Sequence, residues 1–359
     1  MARTPGICDA NSAASPHRDR HAASDEGTME AMNPLPSPSV VLGTWSWGSG
    51  DVGGDTVFGN HLDTADLKPV VDAAMAAGLT LFDTAPVYAM GASETILGEL
   101  LADYDRESYQ LSTKFTPGIV DQYGDSMEQM LDASLSRLRT DHVDVYWIHN
   151  QDDVEHWTPQ LIPLVQSGKV RQVGVSNHSL AQIGRVVEIL AEGGVPLSAV
   201  QNHYSLLFRD SETTGVLDYC HEHGISFWPY MVLEQGALTG AYGVGNPLPE
   251  GSGRAESYNP VLPQLTELTA AMARIGEAHG GLSVAEVATA WARGKGTVPI
   301  IGVTKTRHID SQVRAAGLSL TEAENDEIEQ LAAATGVEVR GGWEKPLQQP
   351  GTGNRALTG

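Results

Sequence analysis

The chain has 359 residues with a formal net charge of −23, 41% hydrophobic and 19% charged residues. That length suits one large barrel or two medium domains with a sizeable core. The acidic balance opposes a general nucleic-acid or anionic-membrane surface, which rewards Lys and Arg; no apolar run approaches the ~20 residues that span a bilayer, and no secretory h-region opens the chain.

Residues 1 to 38 are small, polar and Pro-containing without periodicity, as expected of a disordered extension. Three arginines, Arg3, Arg18 and Arg20, stand there against five acids, so most of the acidic excess belongs to the rest of the chain. Only Cys8 and Cys220 occur, too few for a disulfide framework and suited to a reducing cytoplasm. From Val40 an alternation begins. Val40 to Trp47 reads as a first strand that stops at the Gly48 to Gly54 loop, and Thr64 to Ala77 as a helix with Asp63 or Thr64 as N-cap and Gly78 as C-cap.

The next strand, Leu79 to Phe82, ends on Asp83, and a short link carrying Tyr88 leads into a helix from Ser93 to Tyr104 with Ile96, Leu97, Leu100 and Leu101 on one face. Strand 3 spans Tyr109 to Phe115 and contains Lys114. The helix after it, Ser126 to Leu138, aligns Met127, Met130, Leu131, Ser134, Leu135 and Leu138 at a period of 3.6. Strand 4, Val143 to His149, is a nearly continuous apolar run of the kind buried on both faces of a parallel sheet.

Further along come a helix at Thr158 to Ser167, a strand at Val170 to Val175, a helix at Leu180 to Leu190, a strand at Ala199 to Asn202 and a helix at Glu212 to His223. Strand 7, Ile225 to Tyr230, precedes a Gly/Pro-rich loop from Gly236 to Asn259. Helices at Val261 to His279 and Ser283 to Arg293 follow, then strand 8 at Val298 to Val303 and helices at Arg307 to Ala315 and Thr321 to Ala333. The expected organisation is a disordered extension at 1–38, a single (β/α)8 TIM barrel with extra C-terminal helices at 39–335, and an irregular tail at 336–359. A doubly wound nucleotide fold is disfavoured because the ionisable strand ends are spread over several strands, as barrel sites are.

Three successive strands finish on ionisable residues: Asp83, Lys114 and His149. A buried acid is costly unless a cation meets it. Asp83 would hold Lys114, Lys114 would favour the phenolate of Tyr88 and lower its pKa, and His149 would donate to a substrate oxygen. Such a set suits protonation of a developing alkoxide, which implies hydride from a nicotinamide cofactor. His221-Glu222-His223 lacks the H-E-x-x-H spacing of a metal helix and reads as a solvated helix end, so no metal is expected. Trp45, Trp47 and Trp157 stand where they could wall a substrate pocket, whereas Trp228 and Trp291 read as core.

In the order LFDTAPVYAMGASETILG, LSTKF, DVYWIHNQ, GKVRQVGVSNHS, AVQNHYSLL, EQGALTG and PIIGVTK, the chain resembles the aldo-keto reductase superfamily over most of residues 40 to 335. The resemblance implies an NAD(P)H-dependent carbonyl reductase with Asp83, Tyr88, Lys114 and His149 as a catalytic tetrad. It assigns Ser176, Asn177 and Gln201 to the nicotinamide carboxamide, Tyr230 to stacking on its ring, and the loop from Leu233 through Gln235 and Gly236 to Leu238 to the pyrophosphate. Gly302, Thr304, Lys305, Arg307 and Gln312 fall at the adenosine-phosphate end, where cations favour NADP while NAD stays open. The chain departs from the family pattern at Ala89, where Gly is common, at Met231-Val232 in place of Ser-Pro, and at Ser311-Gln312 in place of Glu-Asn. A redox-sensing barrel that binds nicotinamide with little turnover is the alternative reading; a barrel hydrolase or lyase would have no use for Tyr88 and Lys114 together.

Overall fold

The computed structural model describes residues 39–347; the expected extension at 1–38 and the end of the tail lie outside the described residues. Eight parallel strands follow one another round a single sheet: β1 (Val41–Gly43), β2 (Leu81–Asp83), β3 (Gln110–Phe115), β4 (Val143–Ile148), β5 (Val170–Ser176), β6 (Leu197–Gln201), β7 (Ser226–Phe227) and β8 (Ile300–Gly302), with β8 against β1. Between β7 and β8 the ring is joined by Val298 N–H to the Phe227 carbonyl at 2.9 Å and Ile300 N–H to the Pro229 carbonyl at 2.8 Å. Pro229 has no N–H to give back, so this seam carries fewer bonds and β7 is shorter than the expected Ile225 to Tyr230. β1 is likewise shorter than Val40 to Trp47, because Trp47 N–H turns back to the Thr44 carbonyl and takes the chain out of the sheet.

Helices alternate with the strands. After β1 come α1 (Gly54–Phe58), inside a stretch that carries no helix signal, and α2 (Thr64–Ala76), closed at its start by a reciprocal cap between Asp63 and Asp66. α3 (Ala92–Leu101) and α4 (Met127–Leu138) follow β2 and β3, and all six residues of the expected α4 face are buried. The helix expected at Thr158 to Ser167 is a 3-10 turn through Pro159 followed by α6 (Leu161–Gln166), with α5 (Val154–Trp157) directly before it. α7 (Leu180–Glu192) follows β5; the helix expected at Glu212 to His223 is split by Gly215 at φ 81° into α8 (Asp210–Thr213) and α9 (Val216–Glu222). α10 (Gly253–Tyr258) sits within the long loop after β7, followed by α11 (Leu262–Ala278), α12 (Val284–Gly294), α13 (Thr306–Ala315) and α14 (Glu322–Thr335).

Period-two alternation divides each strand between two cores. One alternating set packs with the helices into the larger core, which includes Trp291. The other points inward, where Val41, Leu81, Val145, Trp147, Ala199 and Trp228 fill the barrel. Two positions further along the same inward face stand Asp83, His149, Gln201 and Tyr230, so the polar set caps an apolar plug at the C-terminal rim. Space for the plug comes from Gly174, paired with Trp147 across β4 and β5: a Cβ there would lie 2.3 Å from the indole.

Gly174→Ala should therefore push Trp147 off its position and cost about 1–3 kcal/mol of stability. Gly184→Ala, in open space on α7, should be neutral or stabilising by up to about 1 kcal/mol. Chemical denaturation of the two variants beside wild type checks both; equal stability of Gly174→Ala and wild type would contradict the packing.

Candidate active site

Lys114 is the centre of the rim. Its side chain is fully buried, and Nζ donates to Asp83 Oδ2 at 2.6 Å, the Thr84 carbonyl at 2.7 Å and Tyr88 Oη at 3.2 Å. Three acceptors satisfy the three ammonium protons. The second carboxylate oxygen of Asp83 accepts from Ser112 Oγ at 2.6 Å, and Ser112 in turn accepts from the Trp147 indole at 2.5 Å, so the acid is anchored to the apolar plug. Gln201 Nε2 lies 3.4 Å from that same oxygen. β2 and β3 place Asp83 beside Ser112 by register, and alternation puts Ser112 and Lys114 on one face.

Tyr88 arrives from the loop after β2 on a tight turn in which Ala89 and Met90 both have φ of 49°. Left-handed backbone costs a residue with a Cβ roughly 1–2 kcal/mol, which explains why glycine suits the position of Ala89. The Ala89 Cβ fills space left by Gly48, where a second Cβ would meet it at 3.2 Å. The Tyr88 ring stands edge to face with His149 at 5.9 Å, and His149 Nδ1 is 2.9 Å from Thr116 Oγ1.

Burial raises the Tyr88 phenol above its ordinary 10.0; Lys114 opposes this but is outweighed. The expected lowering is thus reversed, and the phenol holds its proton across the neutral range. Burial, with a smaller contribution from Lys114, drives His149 well below 6.5 and keeps the ring neutral. Lys114 loses some basicity to burial but more than recovers it from Asp83 and Tyr88, so its pKa lies above 10.5.

A second group of expected residues surrounds Asn177, which has φ 62°. Its Nδ2 donates to the His149 carbonyl at 2.9 Å and Ser176 Oγ at 3.2 Å, and its Oδ1 accepts from Tyr230 Oη at 2.5 Å. Thus Ser176, Asn177 and Tyr230 are tied to the end of β4 at His149, while Gln201 leans on Asp83 instead. The loop after β7 holds Met231, Glu234, Gln235 and Gly236 all at positive φ, an expensive run for three residues that carry a Cβ. Leu233, Gln235 and Gly236 are half-buried there; Leu238 is wholly in the core. Gly302, Lys305 and Arg307 are exposed between β8 and the first turn of α13, Thr304 is half-buried, and Gln312 is buried with its Oε1 lacking a hydrogen-bond partner.

Trp45 lies 6.3 Å from the Tyr88 ring and meets Phe58 and Trp343 edge-on at 5.3 and 5.8 Å. Trp47 does not join it: fully buried, it donates its indole N–H to the Val303 carbonyl at 2.7 Å and belongs to the core. His221, Glu222 and His223 are exposed at the end of α9. Ser112 and Thr116 were within reach of sequence reasoning, since they flank Lys114 at i−2 and i+2. Trp343 was not; it follows two glycines in a stretch without period.

A closed ring of eight parallel strands with a carboxylate, ammonium, phenol and imidazole at its C-terminal rim defines a (β/α)8 oxidoreductase. The chain belongs to the aldo/keto reductase family, whose model matches residues 39–333, and is an NAD(P)-dependent oxidoreductase. It is 30% identical to the chloroplastic pyridoxal reductase of Arabidopsis thaliana over 84% of this chain and 85% of that protein. An uncharacterized oxidoreductase of Mycobacterium tuberculosis is 31% identical over 82% of this chain and 89% of its own. Among solved structures, the glycerol dehydrogenase from Gluconobacter oxydans superposes with a TM-score of 0.69 at 25% identity, covering 85% of this chain and 94% of that one. An aldo-keto reductase from Klebsiella pneumoniae in complex with NADPH shares the fold, with a TM-score of 0.65 at 23% identity over 87% of this chain and 95% of the other.

Asp83→Asn would leave the Lys114 ammonium buried without its counter-charge, a loss of about 3–5 kcal/mol. Thermal and chemical denaturation of the variant beside wild type at neutral pH measures the fall. An Asp83→Asn protein as stable as wild type at neutral pH would contradict a charged Lys114.

Proposed function

We propose that the chain reduces the carbonyl of an aldehyde, ketone or ketosugar, or oxidises the corresponding alcohol, with NADPH preferred over NADH. Tyr88, hydrogen-bonded to Lys114 at 3.2 Å and facing His149, is the single observation that carries this reading. The chain's own donors suit a nicotinamide dinucleotide: Asn177 and Gln201 offer amides at one end, and Lys305 and Arg307 offer cations at the other. The buried, unpartnered Oε1 of Gln312 is a free acceptor on α13, suited to an adenine amine. When bound, the nicotinamide supplies hydride to the carbonyl carbon.

With the Thr116 hydroxyl donating to Nδ1, the neutral His149 ring carries its proton on Nε2 and aims it at the substrate oxygen. Tyr88 supplies a second donor to that oxygen. As negative charge develops there, the phenol transfers its proton, and Lys114 stabilises the phenolate left behind. In the reverse direction the phenolate takes the alcohol proton. Trp45, with Phe58 and Trp343 around it, walls the pocket in front of Tyr88 and suits an apolar or ring-bearing substrate. A cytoplasmic location goes with this reading, since the free, buried Cys220 suits a reducing compartment.

Tyr88→Phe should keep NADPH affinity and lose at least about 100-fold in kcat. NADPH oxidation at 340 nm with a panel of aldehydes, ketones and ketosugars, beside calorimetric NADPH titration, checks this. Retained rate in the variant would refute the role of Tyr88; NADPH binding without turnover on any substrate would favour a redox-sensing barrel. Because the phenol stays protonated and His149 neutral, kcat for reduction should be flat from pH 6.5 to 10 and fall only above it. A limb near neutrality would assign the proton donor to another group.

A further inference from the structure

We propose that His203 is a positioning residue that couples the cofactor-covering loop to the C-terminal segment over the substrate pocket, through Glu234 on one ring nitrogen and Glu344 on the other. The inference rests on the reading that residues 233–238 cover the cofactor. His203 Nε2 is 3.0 Å from Glu234 Oε1, and Nδ1 is 3.1 Å from both oxygens of Glu344. An imidazole can donate to two carboxylates only when both nitrogens are protonated. All three side chains are buried, so neither carboxylate has water to replace the shared cation, and removal of one weakens the reason for the ring to stay charged for the other.

Each carboxylate belongs to a segment that needs a fastening. Glu234 has φ 46° within the strained loop and is held besides by Ser205 and by Tyr258 of α10, whose hydroxyl donates at 2.7 Å. Arg254, one turn earlier on α10, donates to the Gln235 carbonyl at 2.9 Å, so this helix supports the loop from beneath. Glu344 lies in a stretch without helix or strand that returns across the rim: Arg340 meets Asp210 at 2.5 Å, Trp343 packs on Trp45, and Lys345 Nζ donates to the Gln151 carbonyl at 3.3 Å. The His203 ring also stacks on Phe208, at 4.1 Å, and on Tyr230, at 5.4 Å. It therefore touches the ring assigned to the nicotinamide, the loop assigned to the pyrophosphate and the segment that roofs the substrate side.

The titratable groups facing His203 are Glu234, Glu344 and the phenol of Tyr230, with Tyr258 beyond Glu234. Burial disfavours its charge, but Glu234 and Glu344 outweigh burial and raise its pKa from 6.5 to about 9. Because the folded value is the higher, the contribution is complete below 6.5 and is lost as pH rises through about 9. Coupling is reciprocal: NADPH bound under the loop should in turn tighten the hold of His203 on Glu344.

The test measures NADPH affinity by calorimetry in wild type, Glu344→Gln and Trp343→Ala, with melting curves to confirm folding. Glu344→Gln should weaken NADPH binding about five-fold although it lies outside the cofactor loop. Trp343→Ala should raise substrate KM and leave NADPH affinity unchanged. Wild-type affinity should fall as pH passes about 9, and the fall should move to lower pH in Glu344→Gln. Limited trypsin digestion should show NADPH protecting the bond after Arg340 in wild type and not in Glu344→Gln. Equal NADPH affinity in Glu344→Gln and wild type would overturn the coupling and leave the reductase reading intact, as would equal weakening by Trp343→Ala, which would make the segment a simple cover. Failure of wild type to bind NADPH would overturn both.

Discussion

Burying a lysine at the mouth of a barrel sets the terms for everything around it. An ammonium removed from water costs several kcal/mol, and the cost is met only if each proton finds an acceptor and the charge a counter-ion. Lys114 has three acceptors within 3.2 Å, one of them the carboxylate of Asp83. Asp83 must then stay put, and its other oxygen is held by Ser112, itself held by Trp147. The reactive set is thereby anchored to the rigid interior, as pre-organised electrostatics requires.

Apolar and polar layers share one face of each strand, and their order along it decides the function. Leu81 then Asp83, Trp147 then His149, Ala199 then Gln201, and Trp228 then Tyr230 are pairs two residues apart, the first of each in the plug and the second at the rim. The plug excludes water from below, which strengthens every charge interaction above it and raises the phenol of Tyr88. A shift of one residue in any strand would exchange the core and rim sets.

These strand-borne parts were legible in the sequence because a strand's period maps position directly to face. Asp83, Lys114 and His149 could be paired from their places at strand ends, and the α4 face was readable from its spacing of 3.6. Less could be read where backbone chemistry interrupts a pattern. Gly215 breaks a helix that the side chains alone would continue, and Pro229 trims a strand whose residues are otherwise good strand formers. Trp47 looked like a pocket wall because its strand appeared to continue; the turn at Thr44 sends it into the core instead. The link between His203 and Glu344 spans 141 residues and ends in a stretch with no period at all, so nothing local could announce it.

Expecting Lys114 to lower the Tyr88 pKa omitted the desolvation that comes with the same burial. Both act on one oxygen, and burial is the larger. The consequence suits a donor better than a depressed pKa would. A phenol that ionised at rest would have no proton to give, whereas one held neutral keeps its proton until charge appears on a neighbouring oxygen. In the proposed reaction Lys114 would be worth most at the moment the phenolate forms, since an ammonium already in place needs no reorganisation to stabilise it. Its interaction with Tyr88 would there be stronger in the transition state than at rest, and only such a difference speeds a chemical step.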